Sequence, residues 1–326
     1  MSMQKKKLSP VVCIVGPTAS GKTEASIRVA ERFDSEIVSA DSMQVYKGMD
    51  IGTAKPTEKE RRGVPHWMFD VCRPGENMSV VKYAEMARRC CDDILSRGKL
   101  PLIVGGTGQY VNAVIRDENF APEPKDRELR EKYEKIADSE GAEALHRILE
   151  EKDPESALRI HANNVKRVVR ALEIIAITGK TLNEVYAEQP APCDIYDAIM
   201  VCLCPEPREL LYSRIDRRVD VMLADGLMEE TLSLVRGGFS ETSIQAIGYK
   251  ELFPVIAGEM SLDAAADDIR RRSRNYAKRQ LTWFRADKRI QMLSYSNGEE
   301  YDMCVDRICQ MIEEKTGEVF KKCKNR

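Results

Sequence analysis

Gly16-Pro17-Thr18-Ala19-Ser20-Gly21-Lys22-Thr23 has the spacing of a loop that holds a di- or triphosphate, and Asp41-Ser42 follows at the end of the next expected strand. Gly16 and Gly21 let backbone N–H groups turn toward phosphate oxygens, and a helix starting at the loop adds a partial positive charge. Lys22 would reach the terminal phosphate, and the Thr23 hydroxyl would ligate Mg²⁺. A carboxylate beside such a loop, Asp41, points to a proton being removed near the phosphates. The loop alone does not name the phosphate compound, because NTPases, kinases and pyrophosphate-releasing transferases all use it.

What is missing narrows the choice. The apolar run 100–104 ends in Gly105-Gly106-Thr107-Gly108 and not in the aspartate of a motor-type ATPase strand, and no Asn-Lys-x-Asp guanine-reading motif occurs. Thr107 instead follows a glycine pair at the C-terminal end of an expected strand, where ligands gather in parallel sheets.

The elements that must position these residues alternate through the first third. Strands are expected at 11–15, 36–40, 68–71 and 100–104, with helices near 22–33, 80–97 and 109–116, the second of these stopped by Gly98. That pattern predicts an α/β fold, a mostly parallel sheet of the phosphate-loop type flanked by helices. Around Pro122-Glu123-Pro124 the character changes, and 125–188 has helical stretches without a convincing strand. Asp153-Pro154 and Thr181-Leu182-Asn183-Glu184 read as helix starts. An apolar strand resumes at 198–204, followed by helices near 207–224, 226–236 and 262–286. The expected organisation is a core from 1–121 and 197–326, with a small all-helical insertion at 122–196.

Composition sets outer bounds. With 326 residues the chain can bury a full core, and a net charge of −2 confines any nucleic-acid site to a local patch. Ten cysteines without a CxxC pair read as buried thiols of a reduced, cytoplasmic protein, and three histidines without metal-ligand spacing argue against protein-bound zinc. Lys5-Lys6-Lys7 precedes a strand and not the apolar stretch of a signal peptide, and no run suits a membrane span. A monomer is expected.

GPTASGKT at 16–23, DSMQVYKGMDIGTAKP at 41–56, GGTGQY at 105–110, IQAIGYKE at 244–251 and KRQLTWFR at 278–285 together resemble the tRNA dimethylallyltransferase (tRNA isopentenyltransferase) family, in family order across nearly the whole chain. The resemblance implies transfer of a five-carbon prenyl group from dimethylallyl diphosphate to the exocyclic amine of an adenosine beside the tRNA anticodon. Ending at Arg326 without a zinc finger, the chain resembles the shorter bacterial form. On that reading the loop residues Gly16 to Thr23 hold a leaving diphosphate with Mg²⁺, and Lys22, Thr23 and Asp41 are the catalytic set. Asp41 would act as the base, with an aspartate that holds a water bound to Mg²⁺, or a helix cap, as the alternative. Ser42, Met43 and Gln44 would join Asp41 in the base-binding stretch, and Thr107 would contact tRNA near the target base. Tyr46, Lys47 and Asp50 lie in the same signature segment.

Lys166-Arg167-Val168-Val169-Arg170 corresponds by resemblance to a tRNA-contacting segment; helical spacing puts Lys166 and Arg170 on one face and Val168, Val169 and Leu172 toward the buried side. Arg218 matches a family arginine near the diphosphate, with a surface salt bridge as the other possibility. Seven cations without an acid between 270 and 285 exceed what solubility asks of so neutral a chain, so part of that helix is expected to meet phosphate. Trp283 and Phe284 are expected in the core. Two rivals stay open at this point: an adenylate isopentenyltransferase acting on free nucleotides, and a small-molecule kinase using ATP.

Overall fold

β1 (Pro10–Val15), β2 (Glu36–Ser39), β3 (His66–Trp67), β4 (Pro101–Gly105), β7 (Asp197–Pro205) and β8 (Gln291–Tyr295) form one sheet of order β3-β2-β4-β1-β7-β8, each neighbouring pair parallel. The short β5 (Arg116–Asp117) and β6 (Cys193–Asp194) pair with each other. The structure, a computed structural model, describes residues 8–117, 127–317 and 319–320. Lys5-Lys6-Lys7, Pro122-Glu123-Pro124 and Arg326 lie outside the described residues.

Parallel strands covered on both faces are apolar throughout, and β1 is the plainest case. Val11, Cys13 and Val15 face one core together with Tyr83, Val111 and Phe284, whereas Val12 and Ile14 face another with Ile27, Phe33 and Ile308. Helices α1 (Lys22–Phe33), α2 (Glu58–Arg61), α3 (Val80–Ser96) and α4 (Gly108–Ile115) follow the first strands. After β7 come α10 (Arg208–Ala224), α11 (Leu227–Gly237), α12 (Phe253–Ile256), α13 (Leu262–Ala286) and α14 (Gly298–Thr316). α1 and α14 cover one face, and α3, α4 and α13 the other.

The expected strand at 68–71 is not there. Pairing stops at Trp67, because Met68 and Asp70 take positive φ values of 69° and 57°, which no extended ladder accommodates. β8 and α14 went unread in the sequence. β8 is an edge strand of five residues with only Leu293 and Tyr295 buried, too short a signal to stand out.

The chain divides into two compact units, 1–116 with 194–326, and 117–193, against the 122–196 read from composition for the second. The second unit consists of α5 (Arg127–Glu140), α6 (Ala142–Lys152), α7 (Pro154–Arg159), α8 (Val165–Thr178) and α9 (Leu182–Ala187). It has its own core of Tyr133, Leu145, Leu149, Val168, Val169 and Leu172. Asp153 caps α7 by accepting from the Ser156 amide at 3.0 Å, and its other oxygen accepts from Leu182 N at 2.9 Å, so one buried carboxylate holds two helix starts. Thr181 and Glu184 form a reciprocal capping box. Among the described residues no helix is long and apolar enough to cross a membrane.

Candidate active site

The register aligns the C-terminal ends of three adjacent strands: Val15 of β1 lies opposite Gly105 of β4, and Ser39 of β2 opposite Val104. The chain leaves those ends as the phosphate loop, the Asp41 segment and the Gly-Gly-Thr-Gly turn. Three motifs far apart in sequence therefore rim one crevice, the usual ligand position in such sheets. A cavity of about 640 Å³ opens there, lined among others by Thr18, Lys22, Thr23, Asp41, Arg218 and Arg279.

On the loop side, Lys22 Nζ donates to the Pro17 carbonyl at 2.7 Å, a bond that holds the ammonium within the loop's own curl. Burial, and then the nearby Arg218 cation, push the Lys22 pKa down to about 8, with Asp41 pulling the other way. Arg218 reaches in from α10 and donates from Nη1 to Thr18 Oγ1 at 3.1 Å. It therefore lies in the cavity wall and not in a surface ion pair, and burial lowers its pKa. Two cations stand here with only partial compensation, which is an arrangement for an anionic ligand. Of the predicted loop residues, Thr18, Lys22 and Thr23 line the cavity, while the Ser20 side chain is fully buried.

Asp41, Ser42, Met43 and Gln44 also line the cavity. Asp41 Oδ1 accepts from the Met43 amide at 2.9 Å, and among the described residues Oδ2 has no hydrogen-bond donor. Thr107 Oγ1 accepts from Ser42 N at 3.1 Å, so Thr107 braces this stretch from behind. Gln44 faces the cavity but spends its amide on the fold, donating to Thr53 O at 3.1 Å and accepting from Ser39 Oγ at 3.0 Å. Gly105 is required by close approach: a Cβ there would sit 2.1 Å from the Ala40 carbonyl oxygen, the group that accepts from Thr107 N. Burial, with Asp41 adding to it, pushes the Tyr276 phenol in the same cavity up to about 12.

Sequence reasoning missed several residues that hold these walls. Gln280 of α13 accepts from Thr18 N and donates to Gly106 O, both at 2.9 Å, and so ties the phosphate loop to the Gly-Gly turn. A lone buried glutamine in a cationic helix was the available signal. Glu230 of α11 accepts from the amides of Asp50, Ile51 and Gly52 at 2.8 to 3.0 Å and from Tyr249 OH at 2.7 Å. Lys55 donates to Tyr46 O at 3.0 Å and pairs with Asp70 at 2.7 Å and with Asp50. These bonds fix the signature segment 41–56, in which Tyr46 is fully buried and Lys47 exposed. Glu230, Asp70 and Tyr249 lie outside it, and nothing in the local sequence of Glu230 marks it.

The cationic helix α13 is less free than its composition suggests. Arg270 pairs with Asp267 at 2.6 Å and with Asp220, Arg274 with Asp216 at 2.6 Å, Arg272 with Asp268 at 2.6 Å, and Arg271 with Asp268. The acids lie just before the run and on α10, where a count over 270–285 does not see them. Arg271, Arg272 and Arg279 nevertheless line the cavity. Phe284 is in the core, as expected, but Trp283 is 48% exposed. Gln280, Leu281 and Phe284 take the inward stripe of α13, and the Trp283 indole rests instead over Gly108.

In the helical unit, Lys166 and Arg167 are exposed, and Arg170 lies 3.8 Å from the buried Glu173. Val168 and Val169 are buried in that unit's core, on the side that helical spacing assigned to them. Amphipathic spacing turns them inward as α8 turns its cations outward.

Comparison with known proteins decides the family. The model described as IPP transferase matches residues 44–287, and one described as isopentenyl transferase matches 9–73. The chain belongs to the IPP transferase family. Among IPP transferase relatives, the tRNA dimethylallyltransferase of an Exiguobacterium species is 50% identical, covering 86% of this chain and 88% of the relative. That of Bacillus cytotoxicus is 48% identical over 91% and 94%. The full-length tRNA isopentenylpyrophosphate transferase of Bacillus halodurans matches in structure with a TM-score of 0.70 at 42% identity, covering 96% of this chain and 98% of that one. A eukaryotic dimethylallyltransferase acting on tRNA gives 0.79 at 28% identity, covering 98% and 81%. The α/β fold with its parallel sheet is thus the fold of this family.

Proposed function

We propose that the protein transfers a dimethylallyl group from dimethylallyl diphosphate to the exocyclic amine of the tRNA adenosine beside the anticodon, releasing diphosphate. The observation that carries this reading is the shared cavity: the cations Lys22 and Arg218 and the Asp41 carboxylate line it together. The phosphate loop then holds a leaving group and not a nucleotide. Ile215, Val219 and Met222 share the cavity-lining face of α10 with Arg218, at helical spacing, and Ile269 joins them. That apolar wall suits the five-carbon tail.

In the reaction, the amine nitrogen bonds to the allylic carbon as the bond from that carbon to the diphosphate oxygen breaks. The nitrogen becomes cationic and acidic, and Asp41 takes its proton. Lys22, Arg218 and the loop amides stabilise charge on the departing oxygen. Thr23 presents its hydroxyl at the cavity, a donor suited to Mg²⁺, which is commonly held by few protein ligands together with phosphate oxygens and water. When bound, Mg²⁺ would neutralise part of the diphosphate charge. The target base must leave its stack, at a cost of roughly a few kcal/mol that is least in an unpaired loop. Ser42, Met43 and Gln44 would then border it, braced by Thr107, and the exposed Lys166 and Arg167 with Arg170 would meet the backbone of the anticodon stem-loop.

Incubating unmodified tRNA with the protein, Mg²⁺ and dimethylallyl diphosphate, followed by mass spectrometry of the nucleosides, should reveal isopentenyladenosine. A parallel incubation with AMP should yield far less. Phosphorylated product from ATP and a simple alcohol, with no prenylated nucleoside, would overturn the reading.

A further inference from the structure

Two tyrosines outside the cavity wall grip the back of the phosphate loop. Tyr295, on β8, donates from its hydroxyl to the Ser20 carbonyl at 3.0 Å, and Tyr301, on α14, donates to the Gly21 carbonyl at 2.8 Å. Their rings meet edge to face with centroids 5.0 Å apart, and Arg214 of α10 bonds the Tyr295 hydroxyl and lies over its ring. Tyr301 also closes the space beside Gly21: a Cβ there would sit 2.9 Å from the ring, at a residue whose φ is already 75°. Both tyrosines lie beyond residue 287, where the match to the IPP transferase model ends.

The consequence follows from the planarity of the peptide bond. In a trans peptide the carbonyl of one residue and the N–H of the next point in opposite directions from one rigid plane. Anchoring Ser20 O sets the direction of Gly21 N–H; Gly21 O, which accepts from Ala25 N of α1 at 3.1 Å, is held by Tyr301 as well, and that sets the direction of Lys22 N–H. We infer that Tyr295 and Tyr301 are positioning residues for the donor diphosphate, holding the Gly21 and Lys22 amides in the orientation that receives its oxygens. This rests on the reading that the loop holds that diphosphate. Neither tyrosine touches the reacting atoms; they act through the loop. Amides fixed before the ligand arrives lose no freedom on binding, so the effect belongs to donor affinity.

The test uses the full-length protein with Tyr295→Phe, Tyr301→Phe and the double change, which keep both rings and remove only the hydroxyls. Donor KM, tRNA KM, kcat and melting temperature are measured, with Lys22→Ala alongside. Each single change should raise donor KM by about three- to tenfold, the worth of one net hydrogen bond. The double change should raise it further, with tRNA KM within twofold of the parent. Donor KM unchanged in all three, while Lys22→Ala raises it, would overturn the positioning role and leave the loop's role standing. Donor and tRNA parameters declining together with the melting temperature would also overturn it, as the mark of a merely structural contact. Donor KM unmoved even by Lys22→Ala would instead overturn the loop reading itself. Should Tyr295→Phe leave Arg214 unsatisfied and unfold the chain, Tyr301→Phe alone decides the matter.

Discussion

Asp41 and Lys22 face one cavity with opposite charges and different tasks, and single substitutions separate them. Asp41→Asn keeps an oxygen for the Met43 amide but removes the proton acceptor. It should lower kcat by roughly 10²- to 10⁴-fold while leaving donor binding intact, as read by single-turnover kinetics beside donor titration. For Lys22 the sign comes from its depressed pKa of about 8 in the free protein. A bound diphosphate favours the charged form and raises that pKa, so the contribution to donor affinity is complete below pH 8. It is then lost as pH rises, because a proton must be taken up on binding. Donor titrations from pH 6 to 10 should show a plateau followed by weakening above about pH 8, and Lys22→Met should remove that inflection.

At the scale of elements, the site depends on loops that would not hold their shape alone. The Glu230 carboxylate collects three amides from 50–52 and the Tyr249 hydroxyl, so α11 fixes a segment that precedes it by 180 residues. Glu230→Ala would strand all four donors, at a cost of about 2–3 kcal/mol. The melting temperature should fall by roughly 4–10 °C. Gly105→Ala is a sharper case, since the new methyl would meet the Ala40 backbone and not a side chain that can swing away. It should separate the end of β4 from the Asp41 segment and reduce kcat more than donor affinity, which steady-state kinetics at saturating tRNA would measure.

For the whole molecule, the near-neutral net charge of −2 means that nucleic-acid affinity must come from local cations. The helical unit supplies Lys166 and Arg167 at its surface, away from the carboxylate that engages Arg170. Reversing both, Lys166→Glu with Arg167→Glu, should weaken tRNA binding uniformly across tRNA sequences. The slope of log affinity against log salt should shrink by about 1.5, two phosphate contacts at single-strand scaling. Donor KM should stay as it was, since the described residues that line the cavity belong to the first unit. Filter binding over a salt series, with donor kinetics in parallel, measures both.

The amino-acid sequence determined by itself what rests on local chemistry. The phosphate loop needs its glycines and its Lys22-Thr23 at fixed spacing, β1 must be apolar on both faces, and Asp153 and Thr181 start helices through bonds to residues three positions on. The same short range made Asp41 legible as a candidate base and Val168 and Val169 as buried positions. Tertiary structure alone decided what depends on partners far along the chain. Trp283 looked like core until α13 turned Gln280, Leu281 and Phe284 inward. Arg270 and Arg274 looked free until α10 brought Asp220 and Asp216 beside them. Glu230, Tyr295 and Tyr301 gave no motif, and Gln280 had no role assigned within its segment, because each acts on backbone groups, and a carbonyl or amide leaves no mark of its own in a sequence.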